Sequence, residues 1–270
     1  MNWAHMSQAA RDAAYNNGLA VANSQALVRE RNEEAAAFRA AHPGHLDLAY
    51  GESERTKWDI FPAREPGSPC LIFIHGGYWQ MNRREDFAHF AAGVAAHAWS
   101  VALPGYSLAP QASVTQITAE LRAGLDWLGG HGGEHGLNGK FILSGWSAGA
   151  QLTAILLDHP LISAGLAISG VFELGPLRDT YLNAKLGLSD AEIENLSPLR
   201  LAPVQKPLAI AYGTAELPAL VNDSRELHEL RAAAHAPGIL LPVPGADHFT
   251  ILDELEAPAG SLTKLLLDLV

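Results

Sequence analysis

The stretch Gly145-Trp146-Ser147-Ala148-Gly149 sets a hydroxyl between two glycines, where one apolar pattern gives way to another. Before it, Phe141, Ile142 and Leu143 form a short apolar run of the kind that makes a buried strand. After it, Leu152, Ile155 and Leu156 fall three and four apart, the spacing of a helix face. A strand that turns this sharply into a helix holds its corner residue in a strained conformation. Small residues two positions before and after the corner keep the neighbouring backbone from clashing. The pattern is G-x-S-x-G, a nucleophile elbow. It predicts that the Ser147 oxygen stands above a sheet with the next helix N-terminus beneath it, where developing negative charge is favoured. A serine in a plain βα turn is the alternative reading.

A serine hydroxyl is a poor nucleophile until a base takes its proton. The elbow predicts an acid and then a histidine further along the chain. His248, in Pro244-Gly245-Ala246-Asp247-His248-Phe249, follows the last strand-like run and is the expected base. His228 and His235 fall in a helical stretch and read as solvated, and His159 precedes the acid on the elbow's own unit. His131 and His135, in GGHGGEHG, could suggest a metal. A glycine-rich loop fixes neither ligand, however, and a third is missing, so neither a metal nor a cofactor is expected. The acid belongs just beyond the preceding strand, where Gly213-Thr214-Ala215-Glu216 places Glu216. Its carboxylate would hold the imidazole tautomer and stabilise the imidazolium. Asp223, inside a helix, and Asp247, beside the histidine, stay open as alternatives.

The tetrahedral intermediate of acyl transfer also needs donors for its oxyanion. His75-Gly76-Gly77-Tyr78-Trp79 follows the strand-like Leu71–Ile74. Its two glycines let the backbone approach a substrate, so Gly76 and Gly77 are expected donors, with Ala148 a further one. His75 reads as a brace for this loop. Tyr78, Trp79 and Trp146 flank the donors and the nucleophile, and read either as packing or as the wall of a site for a flat, apolar substrate.

The elements that must position these groups alternate along the chain. Strands are predicted near Leu46–Tyr50, Lys57–Phe61, Leu71–Ile74, Ser100–Leu103, Phe141–Leu143, Gly165–Ile168, Leu208–Tyr212 and Ile239–Val243. Helices are predicted near Arg84–His97, Val114–Leu128, Ala148–Leu157, Leu220–Ala234 and Ser261–Leu269. Such alternation implies right-handed crossovers and a mainly parallel sheet covered on both faces. Residues Gln8 to Ala41 carry no proline and read as one or two leading helices, ending at His42-Pro43-Gly44. Residues Phe172 to Leu201 exceed an ordinary crossover and contain a capping-box pattern, Ser189-Asp190-Ala191-Glu192. An insertion there lies at the carboxyl end of the sheet, so it and the leader (1–44) are expected to cap the site.

The bulk numbers agree with one such α/β domain over 1–270. The chain has 270 residues, 48% hydrophobic, with a net charge of −11 and no basic run, which disfavours nucleic acid or an anionic membrane as partner. Its one cysteine, Cys70, excludes an internal disulfide and reads as a small buried hydrophobe. The first residues lack a basic flank followed by an apolar stretch, so a cytoplasmic protein is expected.

Four segments carry a family resemblance: HGGYWQ at His75–Gln80, GWSAGAQL at Gly145–Leu152, AELPALVNDS at Ala215–Ser224 and GADHF at Gly245–Phe249. With AYNN at Ala14–Asn17 and the helical leader, the chain resembles the kynurenine formamidase (arylformamidase) branch of the α/β-hydrolases, near the hormone-sensitive-lipase-like esterases. The resemblance implies an α/β-hydrolase fold, with Ser147 as nucleophile, Glu216 at the acid position and His248 as base. It implies a small-molecule substrate with a formamide or ester carbonyl, N-formyl-kynurenine among them. The chain departs from the family where aspartate and a Ser-Pro-Glu-Phe stretch are usual: here Glu216 is followed by Leu217-Pro218-Ala219-Leu220. A general carboxylesterase is the alternative, and a binding protein that kept the fold without the chemistry a remoter one.

Overall fold

The computed structural model describes residues 3–270. Its eight strands are β1 (His45–Ala49), β2 (Lys57–Phe61), β3 (Cys70–Ile74), β4 (Ser100–Pro104), β5 (Phe141–Trp146), β6 (Ile162–Ile168), β7 (Leu208–Gly213) and β8 (Leu240–Val243). They form one sheet in the order β1-β2-β4-β3-β5-β6-β7-β8. β2 runs against both neighbours, and every pairing from β4 onward is parallel. The carboxyl ends of β3, β5, β6, β7 and β8 therefore share one edge of the sheet.

Both faces of the central strands are buried, which is why they read as unbroken apolar runs rather than alternating ones. In β3, Leu71 and Phe73 join a layer with Ile142, Leu166 and Ala209, while Ile72 and Ile74 join the opposite layer with Leu143, Ala167 and Ile210. Cys70 opens β3 fully buried, and that burial pushes its thiol pKa up.

The helices are α1 (Gln8–Ala13), α2 (Asn17–Ala20), α3 (Ser24–Ala41), α4 (Ala92–Ala95), α5 (Val114–His131), α6 (Ala148–Leu156), α7 (Asn183–Leu186), α8 (Asp190–Leu196), α9 (Pro218–Ala233), α10 (Asp253–Glu256) and α11 (Ser261–Leu267). The leader divides into three helices rather than one or two. Asn16 starts α2 by accepting from the Leu19 amide (3.1 Å), the local bonding by which asparagine interrupts a continuous helix. Another departure is Arg84–His97, where a 3-10 stretch, Arg84–Ala91, precedes the single turn of α4. Three residues per turn stack Arg84, Phe87 and Phe90 along one side, and all three are buried.

Two polar anchors fix the leader. Buried Asp59 on β2 accepts from Arg39 of α3 (2.9 Å) and lies 3.1 Å from Arg84. At the other end, Asp12 accepts from the Tyr181 amide (2.8 Å), Gln8 donates to the Asp179 carbonyl (2.8 Å) and Trp3 donates to the Asp179 carboxylate (3.0 Å). The leader is thus stitched to the 172–201 insertion above the carboxyl edge of the sheet. Within the insertion, Ser189 and Glu192 form the expected capping box at the start of α8. No described helix is long and apolar enough to cross a membrane.

Candidate active site

β5 ends at Trp146 and α6 begins at Ala148, so one residue makes the corner. That residue, Ser147, has φ 58° and ψ −119°, a conformation few side-chain-bearing residues adopt. The flanking glycines are required by space. A Cβ on Gly145 would come within 2.2 Å of the Gly149 carbonyl, and one on Gly149 within 2.1 Å of the Ile74 carbonyl.

His248 lies in the loop after β8, and its Nδ1 donates to Glu216 Oε2 at 2.9 Å. A carboxylate can only accept, so a proton sits on Nδ1, and in the neutral imidazole that tautomer makes Nε2 the acceptor. The other oxygen of Glu216, Oε1, accepts from the Ser169 hydroxyl (2.5 Å) and the Gly213 amide (2.6 Å). The carboxylate is fully buried and held by three donors. Trp146 steadies His248 from a third side: its indole N–H donates to the His248 carbonyl (2.8 Å), and the two rings lie 4.7 Å apart.

The alternative acids are occupied elsewhere. Asp247 accepts from the amides of Phe249 (2.8 Å) and Thr250 (3.0 Å), shaping the histidine loop. Asp223 does not decorate an exposed helix face. It is buried and accepts from the amides of Phe172 (2.7 Å) and Glu173 (3.1 Å), and burial pushes its carboxyl up to about 7.

The loop after β3 lies directly against the Ser147 corner. A Cβ on Gly76 would sit 2.6 Å from the Trp146 carbonyl and 2.9 Å from Ser147 Cβ. Gly77 has φ 120°, a conformation that favours glycine. Among the described residues, the amides of Gly77 and Ala148 take no backbone partner. His75 braces the loop: its Nδ1 donates to the Gly76 carbonyl (2.8 Å), and its ring stacks on Tyr106 at 4.2 Å. Burial lowers its pKa to about 3, so it stays neutral.

Ser147 and His248 open onto one cavity of about 510 Å3, within the usual range of small-molecule sites. Gly77, Tyr78, Trp146 and Phe249 share its inner wall, and Asn17, Val28 and Arg31 of the leader and Tyr181 of the insertion form the outer one. Tyr78 ties the two walls together by donating to the Tyr15 carbonyl (2.7 Å) and accepting from Asn17 (3.1 Å). Trp79 is a correction: it is fully buried in the core, with its backbone turned at φ 56°, and does not line this cavity. Its ring belongs to the core cluster that also holds Ile72, Ile74 and Leu143. The leader was expected to cap the site, but Val28 and Arg31 within it, and Ser169, went unmarked in the sequence. A small polar residue just past β6, next to the strand that precedes Glu216, was the one available signal for Ser169.

In the GGHGGEHG loop the two histidines pack on aromatic rings. His131 stacks on Trp127 (4.8 Å), His135 packs on His45 (4.8 Å), and among the described residues neither joins a set of three possible ligands.

The BD-FAE family profile matches residues 59–157, from β2 through α6. The chain is 27% identical over 242 residues to a kynurenine formamidase of Danio rerio, covering 83% of this chain and 81% of that protein. It is 27% identical over 240 residues to a kynurenine formamidase of Drosophila melanogaster, covering 81% and 79%. Among solved structures, a Silicibacter protein designated a candidate thioesterase superposes with a TM-score of 0.85 at 25% identity, over 95% of this chain and 98% of that one. Esterase B from Lactobacillus rhamnosis superposes with a TM-score of 0.73 at 19% identity, over 93% and 94%, a likeness of fold. The sheet order, the strained corner and these likenesses agree: the chain has the α/β-hydrolase fold and is similar in sequence to kynurenine formamidases.

Proposed function

We propose that the chain is a serine hydrolase that cleaves an aryl formamide of the N-formyl-kynurenine kind, or a small carboxylic ester, through an acyl-enzyme. The observation that carries this reading is the strained Ser147 sharing a cavity with His248, whose Nδ1 is held by buried Glu216. In this mechanism His248 Nε2 takes the Ser147 proton as Oγ adds to the carbonyl carbon. The amides of Gly76, Gly77 and Ala148 receive the oxyanion. The imidazolium then protonates the leaving arylamine or alcohol, the C–N or C–O bond breaks, and the formyl or acyl group stays on Ser147. Water, deprotonated by the same nitrogen, releases the acid.

The formamide reading rests on sequence likeness to the kynurenine formamidases and on an aromatic inner wall suited to an aryl group. The esterase fold likenesses favour a general carboxylesterase as the second reading. A fluorophosphonate probe should label the protein at Ser147 and nowhere else. Comparing kcat/KM for N-formyl-kynurenine, other aryl formamides and short-chain aryl esters then separates the two readings. Preference for the formamides by tenfold or more, about 1.4 kcal/mol of barrier, supports the first. Labelling elsewhere, or none, sinks both.

A further inference from the structure

Trp146, Phe249, Val28 and Arg31 are also walls of a second, smaller cavity of about 260 Å3. Its lining brings four carboxylates, Glu30, Glu34, Asp253 and Glu256, against one guanidinium, that of Arg31. His89, on the 3-10 stretch, also lines it. This side chain is 5% exposed, and among the described residues neither ring nitrogen makes a hydrogen bond. Nδ1 is enclosed without a partner, and Nε2 stands 3.7 Å from Glu34 Oε2, beyond hydrogen-bond reach. A buried imidazole left unpaired beside carboxylates is an unusual arrangement for a native interior.

Glu34, His89 and Glu256 each present a donor atom, and the three atoms lie within 4.8 Å of one another. We propose that these three side chains bind a divalent transition-metal ion of the zinc class. One imidazole nitrogen with two carboxylate oxygens suits zinc, whereas magnesium and calcium prefer all-oxygen sets. A tetrahedral ion with bonds of about 2.0–2.2 Å needs its ligand atoms roughly 3.3–3.5 Å apart. Side-chain rotation of the two glutamates, of which Glu34 is half exposed, supplies that closure. The ligands come from α3, the 3-10 stretch and α10, segments distant in sequence, so no local motif announces the site. An ion there would pin the leader helix to the turn that follows His248. It would touch none of the reacting atoms, and this inference does not depend on the proposed substrate.

The test is calorimetric titration of tag-free protein with zinc chloride, with thermal unfolding alongside. One equivalent should bind and Tm should rise as zinc is added. Glu34→Gln and Glu256→Gln should each weaken binding by roughly tenfold or more, as should His89→Gln if it folds. His135→Gln, on the unrelated surface histidines, should bind as the parent does. Glu34 is exposed enough that its variant folds, so the test survives failure of the buried one. The proposal is overturned if the parent binds no zinc, if Glu34→Gln binds as tightly as the parent, or if His135→Gln is the variant that loses binding.

Discussion

Replacing Glu216 by glutamine keeps the shape of the side chain and changes one atom's chemistry. Oε1 must keep accepting from the Ser169 hydroxyl and the Gly213 amide, at 2.5 and 2.6 Å. Only an oxygen can do that for the Gly213 N–H, so the new NH2 group is forced toward His248 Nδ1. Donor then faces donor unless Nδ1 gives up its proton, which moves the proton to Nε2. The imidazole is left with an N–H where it needs a lone pair for the Ser147 proton. A wrong tautomer in an otherwise intact triad lowers kcat by about 10,000-fold, or about 5 kcal/mol of barrier. Glu216→Asp shortens the arm by a methylene and cannot serve Gly213, Ser169 and His248 together. Steady-state hydrolysis of an aryl ester and an aryl formamide reads the effect, with thermal melting to show that the fold persists. The reasoning is refuted if Glu216→Gln folds and keeps more than about a tenth of the parent kcat. It is refuted equally if Asp247→Asn proves the more damaging change.

Ser147→Ala and His248→Ala should each abolish turnover by similar factors, because nucleophile and base act as a unit, and Ser147→Ala should also abolish fluorophosphonate labelling. Gly76→Ala should lower kcat by about 100-fold or more, because its Cβ must push the loop off the Trp146 carbonyl and displace a donor; an unchanged kcat would remove this loop from the reaction. Asp223 binds its proton up to about pH 7 in the folded chain against 3.8 unfolded, so the native state holds the extra proton between those values and stability falls as pH rises through them. The drop is of the order of 4 kcal/mol and should vanish in Asp223→Asn, which keeps an acceptor for the two amides. Parallel denaturation curves for parent and variant from pH 4 to 7 would contradict this. Asp223→Ala leaves the Phe172 and Glu173 amides unmatched and should destabilise the protein at every pH, by about 1–3 kcal/mol for each lost bond.

The sheet was legible because a strand buried on both faces writes itself as an uninterrupted apolar run, as at Cys70–Ile74 and Leu208–Gly213. The site was legible where a local backbone constraint dictates residue type, as at Gly145, Gly149 and Gly77. Arg84–Ala91 was harder, since Arg84, Phe87 and Phe90 sit at a spacing that α and 3-10 geometry share over two turns. What could not be read were the meetings of distant segments. Nothing near Asp12 or Asp179 in sequence says that they join, and Ser169 gains its partner only when β6 and β7 lie side by side. Trp79 shows the opposite limit: its neighbours suggested a substrate wall, but its side chain is fully buried in the core.

The corner at Ser147 also bears on how this scaffold could be engineered. A backbone at φ 58° and ψ −119° is strained by about 1–3 kcal/mol for a residue with a side chain, and glycine tolerates it far better. Random variants screened only for survival of heating would therefore be enriched in glycine at position 147. The hardiest clones in such a library would include dead ones, and their apparent fitness would come from losing the hydroxyl. Any thermal screen on this protein has to be coupled to turnover, because at this corner durability and activity pull against each other.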